Sequence, residues 1–226
     1  NLSKNFFKSS IFLFIGWFVN SVTLLRAGDL YRIWLFTKEF KLKFVDLFGF
    51  LLAERFQDLI IINLILFSVF IFAFSESQFP FWVAFTCFAI SLTLMMTLLI
   101  GVTTSRLIKY LPLEKKIDSS SFRNSFYKPL KSKNLIFQLM SGVLAWSTEI
   151  LRLSLVLMAL NIELSFSLVI LITILGTILT IVPLPGGLGI VEGGLIGVFI
   201  LLGFDSTTAL TITIVDRSIT WLSILF

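Results

Sequence analysis

Three arginines stand inside long apolar runs: Arg55, Arg152 and Arg217. Each has an acid close by. Glu54 and Asp58 flank Arg55, Glu149 lies three residues before Arg152, Asp216 adjoins Arg217, and Glu192 is a further acid in a separate apolar run. An ion at bilayer depth costs at least about 2.5–3.5 kcal/mol, so such residues face a bundle interior or a water-filled cavity and need partners. Arginine suits contact with a phosphate-bearing group, because its planar fork binds phosphate bidentately and never deprotonates. Helical spacing puts Glu149 and Arg152 on one face. Adjacent pairs such as Glu54–Arg55 and Asp216–Arg217 point in different directions, so their partners are expected on other helices. One reading is a set of interhelical ion pairs that fix packing. The other is a polar cavity where arginines meet a charged headgroup, and the two are compatible.

The most specific local pattern is Pro183-Leu184-Pro185-Gly186-Gly187-Leu188-Gly189, followed by Glu192. Two prolines in three residues stop a helix, since proline lacks the N–H and disfavours helix just before it. Gly186, Gly187 and Gly189 permit close backbone approach, and Glu192 falls in or near the first turn of the next helix, where the dipole favours an acid. A broken helix at membrane depth is tolerated where it is buried in protein or lines a cavity. A tight turn before a glycine-faced packing helix is the plainer alternative. The segment Arg26-Ala27-Gly28-Asp29-Leu30-Tyr31-Arg32 is a dense polar knot between apolar runs. It reads either as part of a basic cytoplasmic loop or as a re-entrant hairpin whose arginines meet lipid phosphate.

These residues must be positioned by membrane-spanning helices. Of 226 residues, 57% are hydrophobic and 14% charged, with a mean hydropathy of +1.01. That is too little polar surface for a water-soluble fold of this size, and it excludes a disordered chain or a nucleic-acid module. The expected fold class is all-α: a polytopic transmembrane bundle forming a single domain over 1–226. A crossing needs roughly 20 apolar residues, and seven segments qualify, near 8–25, 47–73, 81–104, 134–160, 166–182, 188–203 and 207–226. The segments from 8 and from 188 are short enough to be re-entrant. The five Trp residues are expected at interfaces or in packing.

Thirteen of the eighteen Lys and Arg residues fall in 26–46 and 105–134, while Glu76, Glu163 and Asp205 mark the other turns. The positive-inside rule places both basic stretches in the cytoplasm, with 105–134 as a connecting loop between two halves. Counting the first segment as a crossing leaves Lys4 and Lys8 on the opposite side, a conflict that a re-entrant first segment or an absent upstream helix removes. The chain lacks an initiator Met and stops within an apolar run, so it is read as a fragment of a longer protein.

The chain has no His and one Cys, Cys87, which leaves no internal disulfide and no Cys-based metal site. No phosphate loop follows the glycines. Accordingly no catalytic residue, metal or cofactor is assigned.

The order Arg26 to Arg32, Glu54-Arg55-Phe56-Gln57-Asp58, Trp146-Ser147-Thr148-Glu149, Pro183 to Glu192 and then Arg217 resembles the lysylphosphatidylglycerol synthase transmembrane, or flippase-like, family of membrane domains. The resemblance runs from about residue 15 to the end. It implies about eight helices with re-entrant segments, and translocation of an anionic or aminoacylated phospholipid between leaflets. Aminoacyl transfer in that family belongs to a separate soluble domain; other members accompany polyprenyl-lipid pathways.

The leading expectation is a lipid translocator in the cell membrane. Its headgroup site would draw on Arg26, Asp29, Arg32, Glu54, Arg55, Asp58, Glu149, Arg152, Glu192 and Arg217. The break at Pro183, Pro185, Gly186, Gly187 and Gly189 would floor the cavity. The expected partners are membrane lipids, anionic or phosphate-bearing, with no nucleic acid. Two alternatives stand beside it. One is a membrane transferase using a lipid-phosphate donor, with Glu54, Asp58 or Glu192 as base. The other is a non-catalytic partner of a lipid-modifying enzyme, docking through 105–134.

Overall fold

A computed structural model describes residues 6–23, 27–73, 80–104, 119–180, 184 and 187–225. Among these residues the chain is all-helical, with nine helices and no strand. They are α1 (Phe6–Val22), α2 (Ala27–Phe40), α3 (Phe44–Phe72), α4 (Phe81–Thr103), α5 (Ser119–Leu130), α6 (Leu135–Ala159), α7 (Phe166–Leu179), α8 (Ile190–Leu201) and α9 (Ser206–Leu225). The seven expected segments correspond to α1, α3, α4, α6, α7, α8 and α9. Two helices arise where connections were expected. α2 lies in 26–46 and α5 in 105–134; the clustered basic residues of both stretches read as loops, and α5 carries few apolar residues at helical spacing. In α5 those residues are Phe122 and Phe126, fully buried against α3 and α4.

α3, α4 and α6 are each long and apolar enough to cross a membrane. α3 and α6 run parallel, since Gln57 pairs with Gln138 at 2.9 Å and, four residues further along each, Gly142 lies under Ile61. α3 and α4 are joined by an amide–hydroxyl bond from Asn63 to Ser91 at 2.9 Å. α5 sits across the start of α3, where Asp46 accepts from the hydroxyls of Ser121 (2.6 Å) and Ser125 (3.2 Å). A side chain at Gly49 would lie 2.9 Å from the Phe122 carbonyl oxygen, so glycine is what allows that close approach.

Four of the remaining five helices form two antiparallel hairpins, and α9 follows the second. α7 and α8 have 14 and 12 residues, about 21 and 18 Å, short of the roughly 30 Å of hydrocarbon. Gly176 packs against Leu195 and Gly194 against Leu179, which fixes the arms side by side and opposed. α1 and α2 do the same. Phe12 stacks edge-on to Phe36 at 5.3 Å, Lys8 pairs with Glu39 at the open end, and near the tip Gly28 lies against Gly16 and Asn20. The α1–α2 hairpin opens at the end of the bundle where α3 begins, through the linker 41–43. The α7–α8 hairpin opens at the other end, where α6 finishes. The hairpins therefore enter from opposite ends and their tips approach one another. Lys8 thus shares an end with Lys41 and Lys43, which removes the conflict raised by counting α1 as a crossing.

Local signals set the boundaries. Ser165 caps α7 by accepting the Leu168 N–H, and Asp205 caps α9 by accepting the N–H groups of Thr207 and Thr208, each at 3.0 Å. Gly189 has φ 84°, a conformation that favours glycine, and turns the chain into α8. The main core lies where α3, α4, α6, α7, α8 and α9 meet, around Leu66, Leu171, Ile172, Ile174, Phe199 and Ile212. Large apolar side chains such as Leu64, Phe67, Phe85, Phe137 and Leu155 point outward, as a lipid-facing surface requires.

Candidate functional site

The two hairpin tips meet a cavity of about 570 Å³. Asn20 and Asp29 line it from the first hairpin, and Thr180, Leu184 and Gly187 from the second. Arg55 of α3, Glu149 and Arg152 of α6, and Arg217 of α9 complete its polar wall, with Trp17 and Trp221 as aromatic faces. A deeper chamber of about 270 Å³ adjoins it among α6–α9. It shares Glu149, Arg152 and Arg217 and adds Asp216 and Trp146.

Three ion-pair groups hold these side chains. In the first, Glu54 bridges two arginines, accepting from Arg32 and Arg55 at 3.1 Å each, while Arg55 also reaches Asp58 at 3.0 Å. Asp29 Oδ2 lies 3.9 Å from Arg55 Nε, and Asp29 is steadied by exchanging hydrogen bonds with Asn20. In the second, Arg152 lies between Glu149 at 2.7 Å and Asp216 at 3.1 Å. In the third, Arg217 Nε donates to Glu192 at 2.7 Å, and the other Glu192 oxygen accepts the Gly189 N–H at 2.6 Å. Glu192 therefore closes the first turn of α8 and ties the second hairpin to α9 at once.

Five of the ten candidate headgroup residues line the central cavity, Asp29, Arg55, Glu149, Arg152 and Arg217, while Glu54 touches its lining through Arg55 and Glu192 through Arg217. Asp58 joins through Arg55. Arg32 is 7% exposed and faces Glu54 behind the cavity wall, so it braces the site from the side of α2. Arg26, Pro183, Pro185 and Gly186 lie outside the described residues; Gly187 lines the cavity and Gly189 starts α8.

One expectation changes, and one residue joins the site. Adjacent Glu54 and Arg55 do pair, at 3.1 Å, because both side chains are long enough to meet beside the helix, and Glu54 also reaches Arg32 on α2. Asp216, noted in the sequence only as the neighbour of Arg217, is the buried partner of Arg152 across 64 residues. Its signal was the same one that marked the others, an acid at membrane depth. Trp17, Trp146 and Trp221, expected at interfaces or in packing, line cavity walls, and Trp146 also packs on the main core.

Among the described residues the paired network holds four arginines and six carboxylates, so every arginine has an acid and two carboxylates are in excess. Glu54 and Glu149 are the most exposed of these acids, near half in each case.

A family model described as "Lysylphosphatidylglycerol synthase TM region" matches residues 2–226. Two proteins of Methanothermobacter thermautotrophicus (strain Delta H), each named "UPF0104 membrane protein", are similar to parts of the chain. One is 41% identical over 96 residues, 42% of this chain and 28% of the relative. The other is 31% identical over 113 residues, 48% of this chain and 33% of the relative. The matched stretches thus span about a third or less of those relatives. No solved structure matches the chain.

Proposed function

The chain belongs to the lysylphosphatidylglycerol synthase transmembrane region family, and on that premise we propose that it translocates a phosphate-bearing lipid between leaflets of the cell membrane. The observation that carries this reading is the meeting of two hairpin tips at a cavity walled by Arg55, Arg152 and Arg217. A headgroup crossing hydrocarbon needs a polar station part-way, and broken helices facing such a station are the usual way membrane proteins provide one. The arginines offer bidentate phosphate contacts, while Glu54 and Glu149 yield to the incoming anion or receive a cationic substituent on it. In this reading the basic stretches 26–46 and 105–134 face the cytoplasm.

The test is leaflet exchange of fluorescent phospholipids in vesicles containing the full-length protein, with anionic, zwitterionic and lysyl-modified headgroups compared. Headgroup-selective exchange that falls in Arg152→Gln supports the reading. A folded protein that exchanges none of them, or a variant as fast as the parent, counts against it.

A further inference from the structure

A second opening leads away from the headgroup site. Between α4 and α6 runs a groove of about 460 Å³, floored by Leu59 and Ile62 of α3 and walled by Leu94 and Leu98 of α4, with Ile178 of α7 at its inner end. α4 and α6 both pack on α3 but make no substantial contact with each other, so the groove opens sideways from the bundle. Arg55 lines both this groove and the central cavity, and Trp146 lines both the groove and the deeper chamber. At the junction, Arg55 Nε is buried and makes no hydrogen bond. A donor of that kind costs about 1–3 kcal/mol to leave unmade.

We propose that this groove holds an acyl chain of the lipid whose headgroup occupies the cavity, with Arg55 gripping the phosphate where the two spaces join. The proposal rests on the translocator reading and names the part of the substrate that reading leaves out. A lipid headgroup at the hairpin tips must keep its chains in hydrocarbon at the same depth. That demands a lateral slot with an apolar lining and a phosphate donor at its inner end. The groove has both, and the other polar groups on its wall are engaged: Asp58 pairs with Arg55, Ser91 is occupied by Asn63, and the Thr97 and Thr177 hydroxyls donate to carbonyls of their own helices. The continuity through Arg55 favours a phosphate-bearing, chain-carrying amphiphile over a second copy of the protein or a neutral apolar ligand.

The test uses full-length protein in phosphatidylcholine vesicles containing a phosphatidylglycerol whose acyl chain ends in a diazirine. After irradiation, labelled peptides are mapped. Label concentrated on Ile62, Leu94 and Leu98, about tenfold above outward-facing Leu64, Phe85 and Leu155 and displaced by unlabelled phosphatidylglycerol, is the expected result. Even labelling of all lipid-facing positions, or crosslinks from the groove to another protein chain, overturns the proposal. Leu94→Trp fills the groove and is expected to lower both groove label and leaflet exchange about tenfold, with Leu94→Met near the parent because its volume is conserved. Should the Trp variant fail to fold, the labelling pattern in the parent still decides. Displaceable groove label without any leaflet exchange in the parent would leave the groove standing and remove the translocator reading. Exchange with even labelling would remove the groove alone.

Discussion

Glu192 and Arg217 join the first turn of α8 to the middle of α9 at 2.7 Å, while the second Glu192 oxygen holds the Gly189 N–H. One carboxylate thus sets the mouth of a helix and the position of a cavity-lining arginine. Breaking a buried pair by removing one partner costs about 3–5 kcal/mol, because the other charge is left uncompensated. Glu192→Ala is therefore expected to lower thermal stability strongly. Glu192→Ala combined with Arg217→Ala should lose less than the two single changes together. Thermal melting of the four proteins in one detergent measures the coupling. Additive losses would mean the pair is not coupled.

Gly28 and Gly194 make a second, contrasting pair. A Cβ at Gly28 would lie 2.1 Å from the Gly16 carbonyl oxygen, which is backbone and cannot yield unless α1 and α2 separate. A Cβ at Gly194 would lie 2.2 Å from the end of the Leu179 side chain, which can rotate away. Gly28→Ala should thus cost about 2 kcal/mol or more, within the range for overpacking, and Gly194→Ala clearly less. Equal melting shifts would contradict the assignment of the first hairpin as a glycine-sealed contact.

Asp205 lies in the turn before α9, and its carboxyl is held below the usual carboxylate value by the Thr208 hydroxyl first, then by the N–H groups of Thr208 and Thr207. Its folded value is depressed, so the stabilising contribution is fully present above the unfolded value of about 3.9. It is lost as pH falls through the lowered folded value. Asp205→Ala should melt lower than the parent at neutral pH, and the gap should close on acidification below about pH 3. A gap that persists there would show that the carboxylate charge is not what caps α9.

Phe122 is fully buried between α5 and α3, beside Gly49. Phe122→Ala is expected to cost about 3–5 kcal/mol locally and to release α5. Limited trypsin digestion would read this as faster cleavage at Arg123, the tryptic site within α5, since Lys128 is followed by Pro129. Cleavage no faster than in the parent would mean α5 is held by its serine bonds to Asp46 and not by its aromatic face.

The sequence carried the membrane class and the approximate limits of seven helices, because apolar runs such as 81–102 leave few alternatives. It also marked Arg55, Arg152, Glu192 and Arg217, since a charge in such a run is costly wherever it faces. It did not show which charges pair. Asp216 meets Arg152 only because α6 and α9 pack together, and nothing within either helix encodes that neighbour. α2 and α5 were obscured for a different reason. Their buried faces are narrow, with Gly28, Arg32 and Ile33 in one and Phe122, Ser125 and Phe126 in the other, so the clustered basic residues outweighed periodicity. The pairing of α7 with α8 as opposed arms depends on small residues meeting across the hairpin, a signal that a single sequence shares with any glycine-containing helix.

Because both hairpins return to the end from which they came, they contribute nothing to the parity of the chain's path. With α9, whose 20 residues reach about 30 Å, counted as a passage beside α3, α4 and α6, the full passages number four, an even number. Reporters fused before α1 and after α9 should therefore report one and the same compartment, shared with the stretch between α4 and α6, and only the short turns at 73–80, 160–165 and 202–205 should be reachable from the other side.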